Sequence, residues 1–214
     1  MNIAVQKYST PIIGINRHRL QTDGEGVSTL VAFHGCPLRC RYCLNPQSLE
    51  NEEDCRLIDS RTLYEEVKAD ALYFLATRGG VTFGGGEPCL RSKFIRHFRE
   101  LCGKDWLLTV ETSLNVPQEH IERLLPVIDR YIVDIKDMNA DIYQRYTGKS
   151  NEAVLHNLRL LTDSGRQDSI TVRIPLIPGY NTEEDRKSSM HQLEVMGLSR
   201  FDLFSYKTPR IKTP

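Results

Sequence analysis

Six short apolar runs alternate with helical patterns along this chain, and that alternation limits the folds open to it more than any other feature. The runs fall at residues 27–33, 81–83, 106–110, 131–135, 170–174 and 201–204, and several are rich in β-branched residues. Between them, residues 59–77, 92–101, 118–125, 151–161 and 182–196 carry apolar side chains near a 3.6-residue period or helix-start signals such as Pro117. Leu63, Val67, Leu72 and Leu75 mark the buried face expected of the first helix, with Ser60 as its N-cap. Thr182 caps the last helix and Gly197 stops it. Pro175 is expected to stop the fifth strand, and an edge strand is expected near residues 11–15. Apolar strands separated by helices imply a parallel sheet covered by helices. Right-handed crossovers then curl six such units into an open (β/α) barrel or a doubly wound sheet.

Length and charge narrow the setting. The 214 residues predict one domain over 1–214, with a lead-in at 1–26 and a core at 27–207. Lys and Arg total 28, and Asp and Glu total 28. A zero net charge argues against a general nucleic-acid or membrane-surface binder, and against strong steering to a highly charged partner. No run of 18 apolar residues exists, and the first residues lack a basic-then-apolar leader, so a cytoplasmic protein is expected.

Ligands of parallel α/β folds bind at the carboxyl ends of the strands, where the unusual residues of this chain collect. Cys36, Cys40 and Cys43 follow the first strand. Gly84-Gly85-Gly86-Glu87-Pro88 follows the second, Glu111-Thr112-Ser113 the third, Asp134 and Lys136 the fourth, and Arg173 lies near the end of the fifth. Three thiolates on one loop can hold three irons of a [4Fe–4S] cluster and leave the fourth open. The alternative is a structural zinc completed by His34, although zinc knuckles prefer paired C-x2-C units and no second pair exists. The glycine run reads either as a strand-to-helix turn or as a backbone surface for a ligand, and without a following Lys-Ser/Thr it is no P-loop. Cys55, Cys89 and Cys102 are scattered and read as packing or surface thiols. No Ser-His-Asp or zinc-protease pattern is present.

The segment Phe33-His34-Gly35-Cys36-Pro37-Leu38-Arg39-Cys40-Arg41-Tyr42-Cys43-Leu44-Asn45-Pro46 resembles the cluster loop of the radical SAM superfamily, and Gly85-Gly86-Glu87-Pro88 resembles its GGE motif. Asp134-Ile135-Lys136, Tyr146-Thr147-Gly148 and the run from Val172 to Asn181 are similar to the glycyl radical enzyme activating proteins, over residues 20–207. The resemblance implies an α/β fold, a partial (β/α)6 barrel of the radical SAM type. It implies that Cys36, Cys40 and Cys43 ligate a [4Fe–4S] cluster. Tyr42, Leu44 and Asn45 would line the adenosyl pocket of S-adenosylmethionine. Gly85, Gly86 and Glu87 would meet its amino group, and Lys136 and Arg173 its carboxylate end and ribose. Glu111, Thr112 and Asp134 would mark a monovalent cation site, Glu111 standing where a well-known member has aspartate.

The implied activity is reductive cleavage of S-adenosylmethionine to a 5′-deoxyadenosyl radical that installs a glycyl radical on a partner enzyme. A flavodoxin- or ferredoxin-type reductant is implied, with no nucleic acid and no membrane. Alternatives are a radical SAM enzyme acting on a small molecule or another peptide, of the 7-carboxy-7-deazaguanine synthase or anaerobic ribonucleotide reductase activase kind, and a non-catalytic metal-binding module. The chain departs from the family at Asp23-Gly24-Glu25-Gly26-Val27-Ser28, which lacks the usual proline and arginine. It departs again at Leu44, where histidine is usual, and at Ser205-Tyr206-Lys207, where a histidine lies against the adenine.

Overall fold

The computed structural model describes residues 9–20, 23 and 26–206; Gly24, Glu25 and Lys207 of the motifs above lie outside them. Eight strands form one sheet: β1 (Ser9–Leu20), β2 (Val27–Phe33), β3 (Arg56–Asp59), β4 (Gly80–Gly85), β5 (Leu107–Thr112), β6 (Arg130–Asp134), β7 (Ile170–Leu176) and β8 (Phe201–Ser205). The order is β3-β1-β2-β4-β5-β6-β7-β8. The six strands from β2 to β8 in that order are parallel, and β1 runs antiparallel to both β2 and β3. This is the expected α/β partial barrel, with β1 of the lead-in added to its sheet. The α-helices are α1 (Ser60–Val67), α2 (Ala71–Thr77), α3 (Ser92–Cys102), α4 (Gln118–Leu124), α5 (Ala140–Thr147), α6 (Glu152–Asp163) and α7 (Glu183–Val195). Among the described residues no helix is long and apolar enough to cross a membrane.

The strand period of two sorts side chains between the faces. On β5, Leu108 and Val110 are fully buried in the apolar core with the helix residues Phe94, Ile95, Phe98, Ile121 and Leu124, whereas the alternate Glu111 lines a cavity. Phe33 and Phe83 stack at 5.6 Å, with Phe94 and Phe98 meeting them edge-on. The hydrophobic core thus covers one face of the sheet and leaves the other for polar residues.

The helix expected at 59–77 is two helices joined by a tight turn at Lys68–Asp70. Asp70 at that joint is fully buried. Its carboxylate accepts from Arg17 Nε at 2.8 Å and Thr29 Oγ1 at 2.8 Å, and lies 2.9 Å from His18 Nε2. The break turns Phe74 inward and leaves Leu72 80% and Leu75 56% exposed, against the expected face. Asp59, not Ser60, is the N-cap, accepting from the amides of Arg61 and Thr62; the Ser60 hydroxyl bonds His97 instead.

Pro175 does not stop β7. Val172 N–H points toward β8 and the Arg173 carbonyl accepts from Ile135, so Pro175, like Arg173, faces the β6 side. Pairing with β6 has ended at Asp134–Arg173, and the missing N–H costs no ladder bond.

Candidate active site

The cysteine loop leaves β2 and is held at both ends. Gly35 N–H donates to the Ser48 carbonyl at 2.8 Å, and Asn45 Nδ2 donates to the Gly85 carbonyl at 3.1 Å. Along its outer side, Arg39 N–H donates to the Thr147 carbonyl at 2.9 Å and Arg41 N–H to the Tyr146 carbonyl at 3.3 Å. The Tyr146-Thr147 end of α5 therefore clamps the loop. Cys36 and Cys40 pack partly buried against the core, and all three thiols are half-buried. Burial, reinforced by Glu87, pushes the Cys36 thiol up to about 12. Burial also raises Cys40, with Lys136 pulling it the other way. As free groups these two thiols are protonated at neutral pH, and ligation has to displace their protons.

The turn after β4 lies flat against the end of β2. Gly86 N–H donates to the Phe33 carbonyl at 2.9 Å and Glu87 N–H to the Gly35 carbonyl at 2.8 Å. A Cβ on Gly86 would sit 2.2 Å from the Gly35 oxygen. Gly85 has φ +94°, and a Cβ there would sit 2.7 Å from Phe33 N. Both glycines are thus required by backbone packing, and the Gly86 N–H is already committed within the protein. The Glu87 side chain has its own work. Its Oε1 accepts from Cys89 N–H at 3.1 Å and Thr112 Oγ1 at 2.6 Å. Its Oε2 accepts from Ser113 N–H at 2.9 Å and Ser113 Oγ at 2.6 Å. Fully buried, this carboxylate fastens the turn to the end of β5.

These pieces surround a cavity of about 530 Å³, within the roughly 300–1,000 Å³ range of ligand sites. Its lining includes Cys36, Cys40, Cys43, Leu44, Asn45, Gly85, Gly86, Glu87, Glu111, Thr112, Asp134, Lys136 and Arg173, all anticipated from the sequence. Tyr42 is not among the lining residues. Its ring meets those of Tyr146, Tyr180 and Tyr206 within 6.2 Å, its hydroxyl donates to the Pro178 carbonyl, and Tyr206 presents this aromatic group to the cavity. Sequence reasoning passed over Arg19, Ser48, Asp202 and Phe204 as lining residues. Asp202 and Phe204 carried a signal, since they alternate on the last strand.

The cavity wall is charged. Arg173 donates to Glu111 at 3.0 Å and Asp202 at 3.2 Å; Lys136 Nζ lies 3.3 Å from Asp134 and 3.4 Å from Tyr206 Oη. Burial opposes the Lys136 charge, but Asp134 and the surrounding oxygens and thiol outweigh it, and its pKa stands well above the ordinary lysine value. Burial lifts the Glu111 carboxyl, and Arg173 reverses only part of that. Both carboxylates are engaged and the Thr112 hydroxyl is turned to Glu87, so a monovalent cation here would compete with two resident cations. Two buried side-chain atoms of lining residues, Ser48 Oγ and Asp134 Oδ1, have no hydrogen-bond partner within the protein.

Among the described residues no three Cys, His, Asp or Glu converge as a single-ion site. The three thiols share one cavity wall, and three cysteines on one loop suit a [4Fe–4S] cluster with one iron left open.

Comparison with known proteins agrees with this geometry. The family described as the Radical SAM superfamily matches residues 30–191. The (2S)-3-sulfopropanediol dehydratase activating enzyme of Klebsiella oxytoca is 30% identical over 233 residues, covering 80% of this chain and 73% of that protein. A pyruvate formate-lyase-activating enzyme of Staphylococcus aureus is 34% identical over 170 residues, covering 76% of this chain and 67% of its own length. Streptococcus suis SuiB bound to S-adenosylmethionine superposes with a TM-score of 0.64 at 15% identity, over 85% of this chain and 43% of SuiB. QueE from Escherichia coli gives 0.52 at 15% identity, over 91% of this chain and 93% of QueE. The two structural likenesses speak to the fold alone.

Proposed function

The chain belongs to the radical SAM superfamily and is an enzyme of the glycyl radical activase type, and from that premise we propose that it installs a glycyl radical on a partner enzyme. The family's cofactors are a [4Fe–4S] cluster and S-adenosylmethionine. When bound, they supply one electron to the sulfonium, a broken C5′–S bond, and a 5′-deoxyadenosyl radical that takes a hydrogen atom from substrate.

In this reading Cys36, Cys40 and Cys43 hold three irons. The fourth would be left to S-adenosylmethionine. Lys136 and Arg173 face the carboxylate end. Asp134, Glu111 and Asp202, three carboxylates to two cations, hold them in the wall before the ligand's carboxylate arrives. The Gly85-Gly86 backbone forms a side-chain-free wall, and Leu44, Asn45 and Tyr206 border the nucleoside end. The chain's contribution is to bind, to orient the C5′–S bond, and to keep water from the radical. The hydrogen donor is the α-carbon of a glycine in the partner enzyme.

The observation that carries this reading is the gathering of the three thiols, the Gly85-Gly86 turn and the Lys136 and Arg173 cations on one cavity at the carboxyl ends of the parallel strands. The test is anaerobic reconstitution with iron and sulfide, reduction, and assay of 5′-deoxyadenosine against Cys43→Ala. A candidate partner enzyme is then added and its glycyl radical sought by electron paramagnetic resonance. Cleavage lost in Cys43→Ala and a radical on the partner are expected. Cleavage without a radical on any glycyl radical enzyme would move the substrate to another class.

A further inference from the structure

Strand β8 ends the sheet, and its outer edge is open. Val172 N–H donates to the Arg200 carbonyl at 2.8 Å, and Tyr206 N–H to the Leu176 carbonyl at 3.1 Å. In a parallel ladder these two bonds turn the backbone of residues 200, 202, 204 and 206 toward β7. The N–H and C=O groups of Phe201, Leu203 and Ser205 therefore point away from the sheet, and none has a partner among the described residues. Leu203 is 47% exposed and Ser205 is exposed, so solvent reaches this edge. The opposite margin is guarded. Strand β3 has four residues and starts and ends on Arg56 and Asp59. The part of β1 beyond it exposes Asn16, Arg17 and His18 and breaks register between Asn16 and Arg19. Short, charged or bulged edges resist pairing with another chain. Strand β8 has no such device: its register with β7 is unbroken from Phe201 to Ser205, and its open positions are Phe, Leu and Ser. The alternate side chains of the same strand and its end, Asp202, Phe204 and Tyr206, line the cavity. One strand thus carries both the free edge and a wall of the site.

We infer that an extended segment of the partner enzyme pairs with the free edge of β8 as an added strand and so carries its glycine to the cavity. The inference rests on the glycyl radical reading above and adds how the substrate is held. Residues opposite one another across a ladder share a face of the sheet. Partner residues opposite Asp202 and Phe204 therefore turn toward the cavity that these two side chains line. Any other residue in that place would put a Cβ there, whereas glycine puts a Cα hydrogen, the atom the proposed reaction removes. Pairing along an edge draws its affinity from main-chain hydrogen bonds, which suits a substrate residue that has no side chain to recognise.

The probes are peptides of about nine residues, centred on the reactive glycine of a pyruvate formate-lyase and of a (2S)-3-sulfopropanediol dehydratase, each also made with one backbone N-methyl group at successive positions. Binding to the reconstituted, unreduced protein with S-adenosylmethionine is read by fluorescence anisotropy. N-methylation should weaken binding about fivefold at every second residue and less than about twofold between them. Leu203→Pro removes one outward N–H and leaves the bonds to β7 intact, as Pro175 does on the β6 side of β7; it should weaken binding about fivefold. Leu203→Thr keeps the N–H and should bind within about twofold of wild type. The amides of residues 201–205 should exchange faster in the protein alone than with peptide bound. Several results would overturn the proposal: no binding of either peptide, N-methyl effects without the two-residue alternation, or amides already protected in the protein alone, which would give the edge to another part of this chain. A concentration-dependent dimer that Leu203→Pro abolishes would give it to a second copy and overturn it too. If Leu203→Pro does not fold, the N-methyl series on wild type decides. Alternating N-methyl effects with no radical on the partner would leave the pairing standing and sink the glycyl radical reading; a radical formed without that alternation would sink the pairing alone.

Discussion

Glu87→Gln separates two roles for the glutamate of the Gly85-Gly86-Glu87 turn. The resemblance puts this residue with the cofactor, whereas its carboxylate is occupied by four donors from Cys89, Thr112 and Ser113. Each oxygen accepts one backbone N–H and one hydroxyl. An amide in either orientation therefore turns its NH2 group on a buried N–H that has no other acceptor. One unsatisfied buried donor costs about 1–3 kcal/mol. The displaced amide hydrogen and the lost charge-assisted bonds add a similar amount, giving a total of about 3–5 kcal/mol. For a chain of this length that lowers Tm by about 10 °C. Thermal and urea unfolding of the metal-free variant would measure it, and equilibrium binding would give S-adenosylmethionine affinity of the reconstituted variant below its Tm. The expected result is a large loss of stability with affinity within about threefold of wild type. A Tm within about 2 °C of wild type, with affinity down more than tenfold, would refute the reasoning and return the carboxylate to the ligand.

Three further outcomes follow from the same contacts. Gly86→Ala drives a methyl to 2.2 Å from the Gly35 oxygen, so the turn must lift from β2; a loss of at least about 2 kcal/mol in urea unfolding is expected. Asp70 is pushed up by burial, but the Arg17 and Thr29 hydrogen bonds and the Arg17 and His18 charges outweigh this and hold its pKa below the ordinary value. Its stabilisation is therefore complete above pH ~4 and lost as pH falls through the lower folded value; Asp70→Asn should cost about 3 kcal/mol at pH 7 and show a shallower loss between pH 4 and 2. Cys89 is fully buried, with its thiol on Thr112, so Cys89→Ala should keep about four irons per reconstituted chain, whereas Cys43→Ala should hold few by iron analysis.

Much of the sheet was legible because each parallel strand carries short apolar stretches for the core face, and the six expected runs are β2 and β4 to β8. What escaped is polar or tertiary in origin. Arg56–Asp59 buries only Ile58 and becomes β3 because the start of β1 offers it a partner. Helix α5 buries Ile142, Tyr143 and Tyr146, and two tyrosines do not read as an apolar stripe; Asn139 as N-cap and Gly148 as left-handed stop were the available signals. The break at Asp70 depends on Arg17 and Thr29, far away in sequence. At the site, the positions were legible because strand ends converge. The roles of the glycines and of Glu87 were not, because an alphabet of residue types does not say which backbone lies 2.2 Å away.

A net charge of zero argues against strong steering to a highly charged partner, but it says nothing of how charge is distributed over the faces. The sheet segregates the charges before they can cancel. Asp23, Glu111 and Asp134 sit on or beside the cavity with Arg19, Lys136 and Arg173, paired at 2.7 to 3.3 Å and largely withdrawn from the outer surface. Buried pairs of this kind contribute little field beyond their own dipoles. The field felt by an approaching protein comes from exposed, unpaired groups within a screening length of about 8 Å. Around the cysteine loop exposed Arg39, Arg41, Arg145 and Lys149 are bordered by exposed Glu50 and Asp141. Steering is therefore decided by which charges the fold leaves exposed at a given face, not by their sum over the chain.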